Sequence, residues 1–348
     1  MVYVAGFYAQ GEESYPCYWN NGTLTPLESG GIKGQAGRIA VSGGKVYMAG
    51  FHGPSGNHRP CYWIGTEKHD LFTSAEADSI NSTAEDIAVS GGKVYVAGQY
   101  MDGGHWQPCY WLVEGGAAVR KPLGLPGGGI SGTAWAAAVS GSAVYIAGQY
   151  RDSGNEQKPC YWTVQGGTNT THALGLPGGG ISGTARAAAV SGGVVYIAGA
   201  YRDSGANSKP CYWTVQGGTN TAHALSLPSG ATDGVILALA VSGSSVHAAG
   251  DSIKDGKENP CYWTIDGEEN TVSGLTVPEG FPRGGAYGIA VSSGGNVYIS
   301  GFGLDEPEED KYIYAPCYWK DGTLVELDLG SSSSGGAGAA GIAVEDAP

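Results

Sequence analysis

The tetrapeptide Pro-Cys-Tyr-Trp occurs seven times in the 348 residues, with Cys17, Cys61, Cys109, Cys160, Cys211, Cys261 and Cys317 at its second position. These are all the cysteines of the chain, and seven of its nine tryptophans stand two residues further on. Successive copies lie 44 to 56 residues apart. A period near 50 residues marks a propeller or a solenoid, in which each repeat buries its apolar face only by stacking on its neighbours.

Four short segments recur within each period. One period runs 185–190, the turn Ser191-Gly192-Gly193, and then Val195-Tyr196-Ile197-Ala198-Gly199. A polar stretch leads to Pro210-Cys211-Tyr212-Trp213, followed by Gln216-Gly217-Gly218 and Ala222-His223-Ala224-Leu225. Runs of four to six residues bounded by Gly, Ser, Asn or Pro read as antiparallel strands, here called A to D. Four strands per period form a propeller blade. The expected fold is an all-β, seven-bladed propeller in a single domain, residues 1–348.

Alanine-rich runs such as 134–139 favour helix by propensity alone. The aligned copies Ile39-Ala40-Val41, Ile87-Ala88-Val89 and Ile289-Ala290-Val291 place β-branched residues in the same slots, so strand is expected. In strand C, Cys and Trp point to one face and Tyr to the other. Neither parity is polar, so both faces need covering. Proline is expected to begin strand C, where its missing N–H costs no ladder bond. The chain opens on a strand B (Val2-Tyr3-Val4-Ala5-Gly6) and ends on a strand A (Gly341-Ile342-Ala343-Val344). The last strand should therefore complete the first blade and leave no open edge. Residues 331–338 read as a flexible loop.

Cysteines at equivalent positions of neighbouring blades should be separated by roughly the ~10 Å of packed sheets. A disulfide needs Cα atoms within about 7 Å, so seven free, buried thiols are expected. The 62 glycines punctuate turns without a triplet period. A net charge of −14 speaks against nucleic acid and against an anionic membrane surface. No run approaches the ~18 apolar residues of a membrane-spanning helix. No basic segment followed by an apolar run precedes Val2, so no signal peptide is read. The expectation is a piece that starts inside a longer exported protein rather than a cytosolic chain.

Motifs for chemistry are sparse. Gly127-x-Gly129-x-x-Gly132 and Gly178-x-Gly180-x-x-Gly183 match a dinucleotide fingerprint in spacing but join strand D to strand A, so they are read as loops. Phosphate loops, nucleophile elbows, calcium loops and His-Glu-x-x-His are missing from the sequence. No cofactor and no metal are expected. His52, His58 and His105 fall on adjacent B–C loops without ligand spacing.

The informative signal is what varies between copies. Four residues before the valine of strand A stand Gly37, Glu85, Trp135, Arg186, Leu237, Tyr287 and Ala340. These should surround the mouth of the central channel. Trp135, Arg186, Tyr287 and Glu85 are thus candidate ligand-binding residues, since aromatic and arginine side chains anchor interfaces. The B–C loops add Arg151, Asp152, Arg202 and Asp203 from two copies of Tyr-Arg-Asp-Ser-Gly. Aromatic, carboxylate and guanidinium groups together suit a sugar or a peptide, although Asp-Ser-Gly is also an ordinary turn.

Val-Tyr-Val-Ala-Gly, a polar loop, Pro-Cys-Tyr-Trp and then Ala-x-x-Ile-Ala-Val-Ser-Gly-Gly resembles bacterial β-propeller repeats carrying a Cys-Tyr-Trp element, with kelch repeats as a second comparison. The resemblance implies an exported or surface-attached protein. The leading functional expectation is a non-enzymatic recognition or scaffold propeller that binds glycan or protein on the B–C/D–A loop face. A self-associating structural subunit is one alternative. The other is a hydrolase or lyase at the channel mouth, where Glu85 and Asp86 are the one carboxylate pair and would point oppositely on a regular strand.

Overall fold

The computed structural model of the protein describes residues 1–11, 13–54, 56–72, 81–205, 207–267, 269–308, 311–329 and 336–346. Strand pairing builds seven four-stranded antiparallel sheets in a ring, each ordered A-B-C-D. In blades 2 to 7 the A strands are Gly34–Ser42, Ser82–Ser90, Ser131–Ser140, Ser182–Ser191, Asp233–Ser242 and Arg283–Val291. The alanine-rich run is therefore strand, because burial between blades outweighs helix propensity. The A strands touch one another in a closed circuit around the axis.

Blade 1 is assembled from both ends of the chain. Its strand A is Ala337–Val344, which pairs with Val2–Gln10 in the register Val2↔Val344 and Val4↔Ile342. Glu345 N–H adds a bond to Met1 O at 2.9 Å. The stretch 331–338 falls mostly outside the described residues, and its end, Ala337 and Gly338, already belongs to the closing strand.

Each motif residue has a separate mechanical task. The seven cysteines are free and fully enclosed, at 0–1% exposure. The seven tryptophans are equally enclosed. The indole N–H groups of Trp19, Trp63, Trp162, Trp213, Trp263 and Trp319 donate to Asp328, Glu28, Gly124, Gly175, Ser226 and Thr276 carbonyls. All six acceptors lie in the loop arriving from the preceding blade. The Trp19–Asp328 bond does this across the closure. Strand C starts before the proline, not at it: Glu13–Asn20 contains Pro16. The proline sits where strand D runs out, and its carbonyl takes the N–H of the next loop, as in Leu27 N to Pro16 O at 3.0 Å. All seven copies repeat that bond.

The tyrosines face the next blade and meet strand D: Tyr161 and Tyr212 are buried in one core with Trp213 and Trp263 respectively. Tyr161 and Tyr212 stack on His172 and His223 at 4.5 Å and 14°. Pro126–Gly128 and Pro177–Gly179 form short 3-10 turns, with Gly127 and Gly178 at φ 53 and 54, so the fingerprint-like glycines serve loop geometry. Among the described residues no helix is long and apolar enough to cross a membrane.

Two outcomes follow. Burial pushes the thiols up, Cys261 to about 11, so a thiol reagent should find almost none in the native protein and seven after unfolding without reductant. Fewer than seven would mean a disulfide. Removing residues 337–348 strips strand A from blade 1 and leaves an unpaired edge. Calorimetry should then show loss of the cooperative transition or aggregation, and an unchanged trace would show that closure contributes nothing.

Candidate functional site

The variable residue of each strand A is the extra residue of a β-bulge. Register with strand B skips Gly37, Glu85, Trp135, Arg186, Leu237, Tyr287 and Ala340. A bulge re-aims side chains and breaks strict alternation. The glycine of strand B makes room for it. A Cβ at Gly50, Gly98, Gly148 or Gly199 would stand 2.0–2.1 Å from a carbonyl oxygen of strand A. The seven residues therefore sit halfway along the channel wall rather than at its mouth.

Arg38 crosses this channel. Gly37 and Ala340 leave its side unobstructed, and its guanidinium donates to Leu237 O at 2.8 Å and to Tyr287 O, on blades 6 and 7. Below it lies a cavity of 110 Å³ bounded by Ile39, Ala188, Leu239, Ile289 and Ile342. Burial raises the carboxyls of Glu85 and Asp86, and the charge of Arg38 opposes that in both. The bulge at Glu85 breaks the strict alternation from which opposite pointing was expected. Asp86 accepts Ile87 N–H at 2.9 Å and Ala137 N–H at 2.8 Å, tying blade 3 to blade 4. Glu85 accepts from Thr83 at 2.6 Å. Thr83 in turn accepts from Gln99, which accepts from Thr133 of the next blade.

A second variable slot follows the glycine of strand B: Phe7, Phe51, Gln99, Gln149, Ala200, Asp251 and Phe302. Gln99 accepts from Thr133 and Asp251 from Ala286 N–H, so this slot faces the next blade. In blade 5 it holds only a methyl group. A pocket of 400 Å³ opens there on the B–C/D–A face, lined by Arg151, Glu156, Thr184, Arg186, Ala200 and Arg202 among others. Arg186 borders both this pocket and the axial cavity. Its guanidinium lies 4.1 Å over the Trp135 ring, which fixes its plane. Burial lowers its pKa, with Glu85 opposing.

Of the residues singled out from sequence, Arg151, Arg186 and Arg202 meet in this pocket, with Trp135 behind Arg186. Asp152 accepts Gly154 and Glu156 N–H at 2.9 Å, so it shapes its turn. Asp203 accepts Gly205 N–H at 2.8 Å and pairs with Lys209. Tyr287 turns away to stack on Phe302 at 4.9 Å and 16°. Gly285 permits this, since a Cβ there would come within 2.5 Å of the ring. His52 is taken by Asp70 at 3.1 Å and His58 stacks on Phe51 at 4.3 Å. Among the described residues no three His, Cys, Asp or Glu side chains could share a metal ion. Sequence reading missed Arg38, Ala200 and Glu156. Ala200 had a signal, as the smallest residue of its aligned slot.

No protein-family model and no curated protein matches the chain. It is similar in structure to an ulvan lyase, a polysaccharide lyase bound to -[GlcA(1-4)Rha3S]-, with a TM-score of 0.61 and 12% identity over 95% of this chain and 93% of that one. It is also similar to the Trypanosoma rangeli sialidase in complex with 2,3-difluorosialic acid, with a TM-score of 0.57 and 12% identity over 87% of this chain and 55% of that one. A protein of unknown function from Dyadobacter fermentans gives 0.57 and 11% over 87% and 97%. At these identities the similarity is one of fold.

Asp251, in the slot that Ala200 occupies one blade earlier, is buried and should make stability depend on pH. Burial pushes its carboxyl up to about 8, while Ala286 N–H, at 2.9 Å, opposes the shift. The folded state then holds a proton that the unfolded state releases near 3.8. Stability should fall as pH rises through that window. Asp251→Asn keeps the acceptor and removes the titration. Its melting temperature should match wild type near pH 4 and exceed it by several degrees above pH 8; parallel curves would refute the assignment.

Proposed function

We propose that the protein is a glycan-recognition propeller that binds in the pocket over blade 5 without cleaving its ligand. The carrying observation is that three of the seven arginines in the chain, Arg151, Arg186 and Arg202, surround one 400 Å³ concavity on the variable loop face. Polar Ser182, Thr184 and Ser208 also line it, which suits a hydroxylated ligand. Two similar folds are seen with a sugar bound. Most glycosidases place two carboxyl groups about the scissile bond, sialidases with a tyrosine nucleophile being an exception. Here the lining offers one carboxylate, Glu156, beside Tyr201, while Glu85 and Asp86 are engaged in the axial network. The two-carboxyl arrangement is thus missing among the described residues, and product analysis decides on a tyrosine-based reaction.

A glycan array should find a ligand, and Ala200→Gln should abolish its binding. That change rebuilds in blade 5 the side chain that Gln149 gives blade 4, so stability should stay within about 1 kcal/mol. Arg186→Leu should weaken binding by about 2 kcal/mol, the cost of losing an arginine anchor. Undiminished binding in both variants would place the site elsewhere. Release of reducing ends or unsaturated sugars from the bound glycan would overturn the non-catalytic reading.

A further inference from the structure

We infer that the ligand is an acidic glycan chain and that blades 4 and 5 offer it two equivalent guanidinium subsites, Arg151 and Arg202, with Arg186 as the deeper anchor. This rests on the glycan reading above and specifies its substrate class.

Charge is the first argument. The chain carries 32 acidic residues against 18 basic ones. The pocket inverts that ratio, with three arginines to one glutamate. Neither Asp152 nor Asp203 lines the pocket, and Asp203 is already paired with Lys209. Arginines gathered in a concave site pair bidentately with carboxylate or sulfate.

Buried polar atoms are the second. Arg186 Nε, Trp135 Nε1 and Gln149 Oε1 are enclosed and find no hydrogen-bond partner within the protein. They belong to blades 4 and 5, and such groups are rarely left unpaired without a reason. Of the three residues Arg186 lines the pocket, so its guanidinium is the donor that the carboxylate of a sugar acid would complement.

Repetition is the third. Ile130 N–H donates to Arg151 O at 2.9 Å, and Ile181 N–H to Arg202 O at 2.8 Å. Each unit presents an exposed isoleucine, at 40% and 51%, beside an exposed arginine. Adjacent blades stack at the ~10 Å of packed sheets, so the units are spaced for different sugars of one chain. The isoleucines offer apolar surface to the C–H faces of the rings.

The test is calorimetric titration with six probes: tetragalacturonate, its methyl ester, galacturonic acid monomer, a chondroitin sulfate hexasaccharide, neutral maltotetraose and single-stranded oligothymidylate. One or both acidic probes should bind at least ~10-fold more tightly than the methyl ester and maltotetraose, and the advantage should shrink as salt screens the charges. Binding of tetragalacturonate shows that carboxylate suffices, whereas binding of the chondroitin sulfate, which carries both groups, without tetragalacturonate points to sulfate. Arg151→Gln and Arg202→Gln should each weaken the preferred probe ~3- to 10-fold, and galacturonic acid monomer should lose less than the chain from Arg151→Gln. Neutral and acidic probes binding alike, both lost in Ala200→Gln, would overturn the acidic class and leave the glycan reading standing. No binding by any probe would overturn both. Tighter binding of single-stranded oligothymidylate would show a nucleic-acid surface instead, and an effect of Arg202→Gln without one of Arg151→Gln would reduce the two subsites to one.

Discussion

In every blade a carbonyl oxygen of strand A presses against the one position of strand B that has no side chain. Cβ atoms at Gly6, Gly98, Gly148 and Gly301 would stand 2.0–2.1 Å from that oxygen. They would also stand 2.7–3.0 Å from the edge of the strand C tryptophan. The glycine is thus held from the axis by a bulge and from the rim by an indole. The same indole, through its N–H, anchors the blade to its predecessor in the six cases named above. Each such bond contributes about 1 kcal/mol net, and leaving the buried donor unmet would cost about 1–3 kcal/mol. Bulge, glycine and tryptophan act as one unit, and changing any of them disturbs the others.

That unit confines variation to two places near the axis. One is the bulged residue, whose side chain bears on no invariant contact. The other is the residue after the glycine, which faces the next blade. Together they determine where the ring is solid and where it is open. Arg38 spans the channel because Gly37 and Ala340 leave space for it, and Glu85 and Asp86 offset its charge. Phe7, Phe51 and Phe302 fill the second slot in three blades, whereas Ala200 leaves blade 5 unfilled. The channel is plugged by an arginine, and the usable concavity lies beside the axis.

The architecture was legible because Pro-Cys-Tyr-Trp and the strand B glycine recur seven times, so strand order, closure and the state of the thiols followed from alignment alone. The site was legible only in part. Arg186 stood out as a large cation in a slot that elsewhere holds Gly37 and Ala340. The depth of that slot was misjudged, because a bulge changes no residue type and leaves no periodic trace. Tyr287 carried the same sequence signal as Arg186 yet packs on Phe302, a difference that turns on Gly285 three-dimensionally and not on the tyrosine itself. Arg38 was invisible for the opposite reason: its slot holds Asp86, Ala136, Ala187, Ala238, Gly288 and Gly341 elsewhere, and a single charged member reads as noise until its acceptors are seen.

The two most similar repeats locate the pocket independently of its shape. Residues 126–165 and 177–216 align without gaps and differ at seven positions. Two of these, at 142/193 and 143/194, lie at the A–B turn on the opposite face. The other five pairs are 135/186, 149/200, 155/206, 156/207 and 157/208, and each contributes a residue to the pocket lining: Arg186, Ala200, Asn155, Glu156, and both Gln157 and Ser208. Random drift in a duplicated blade would scatter over every exposed turn, including the Gln-Gly-Gly-Thr-Asn-Thr hairpins at 165–170 and 216–221, which are identical. The two repeats differ instead in whether the contact with the next blade is filled or open and cationic, while the surrounding Tyr-Arg-Asp-Ser-Gly hairpins are the same. Packing alone would favour the filled contact, since a void forfeits the contacts of its lining. An opening at this one seam, bordered by arginines in an acidic protein, is therefore better explained by what it admits than by what it stabilises.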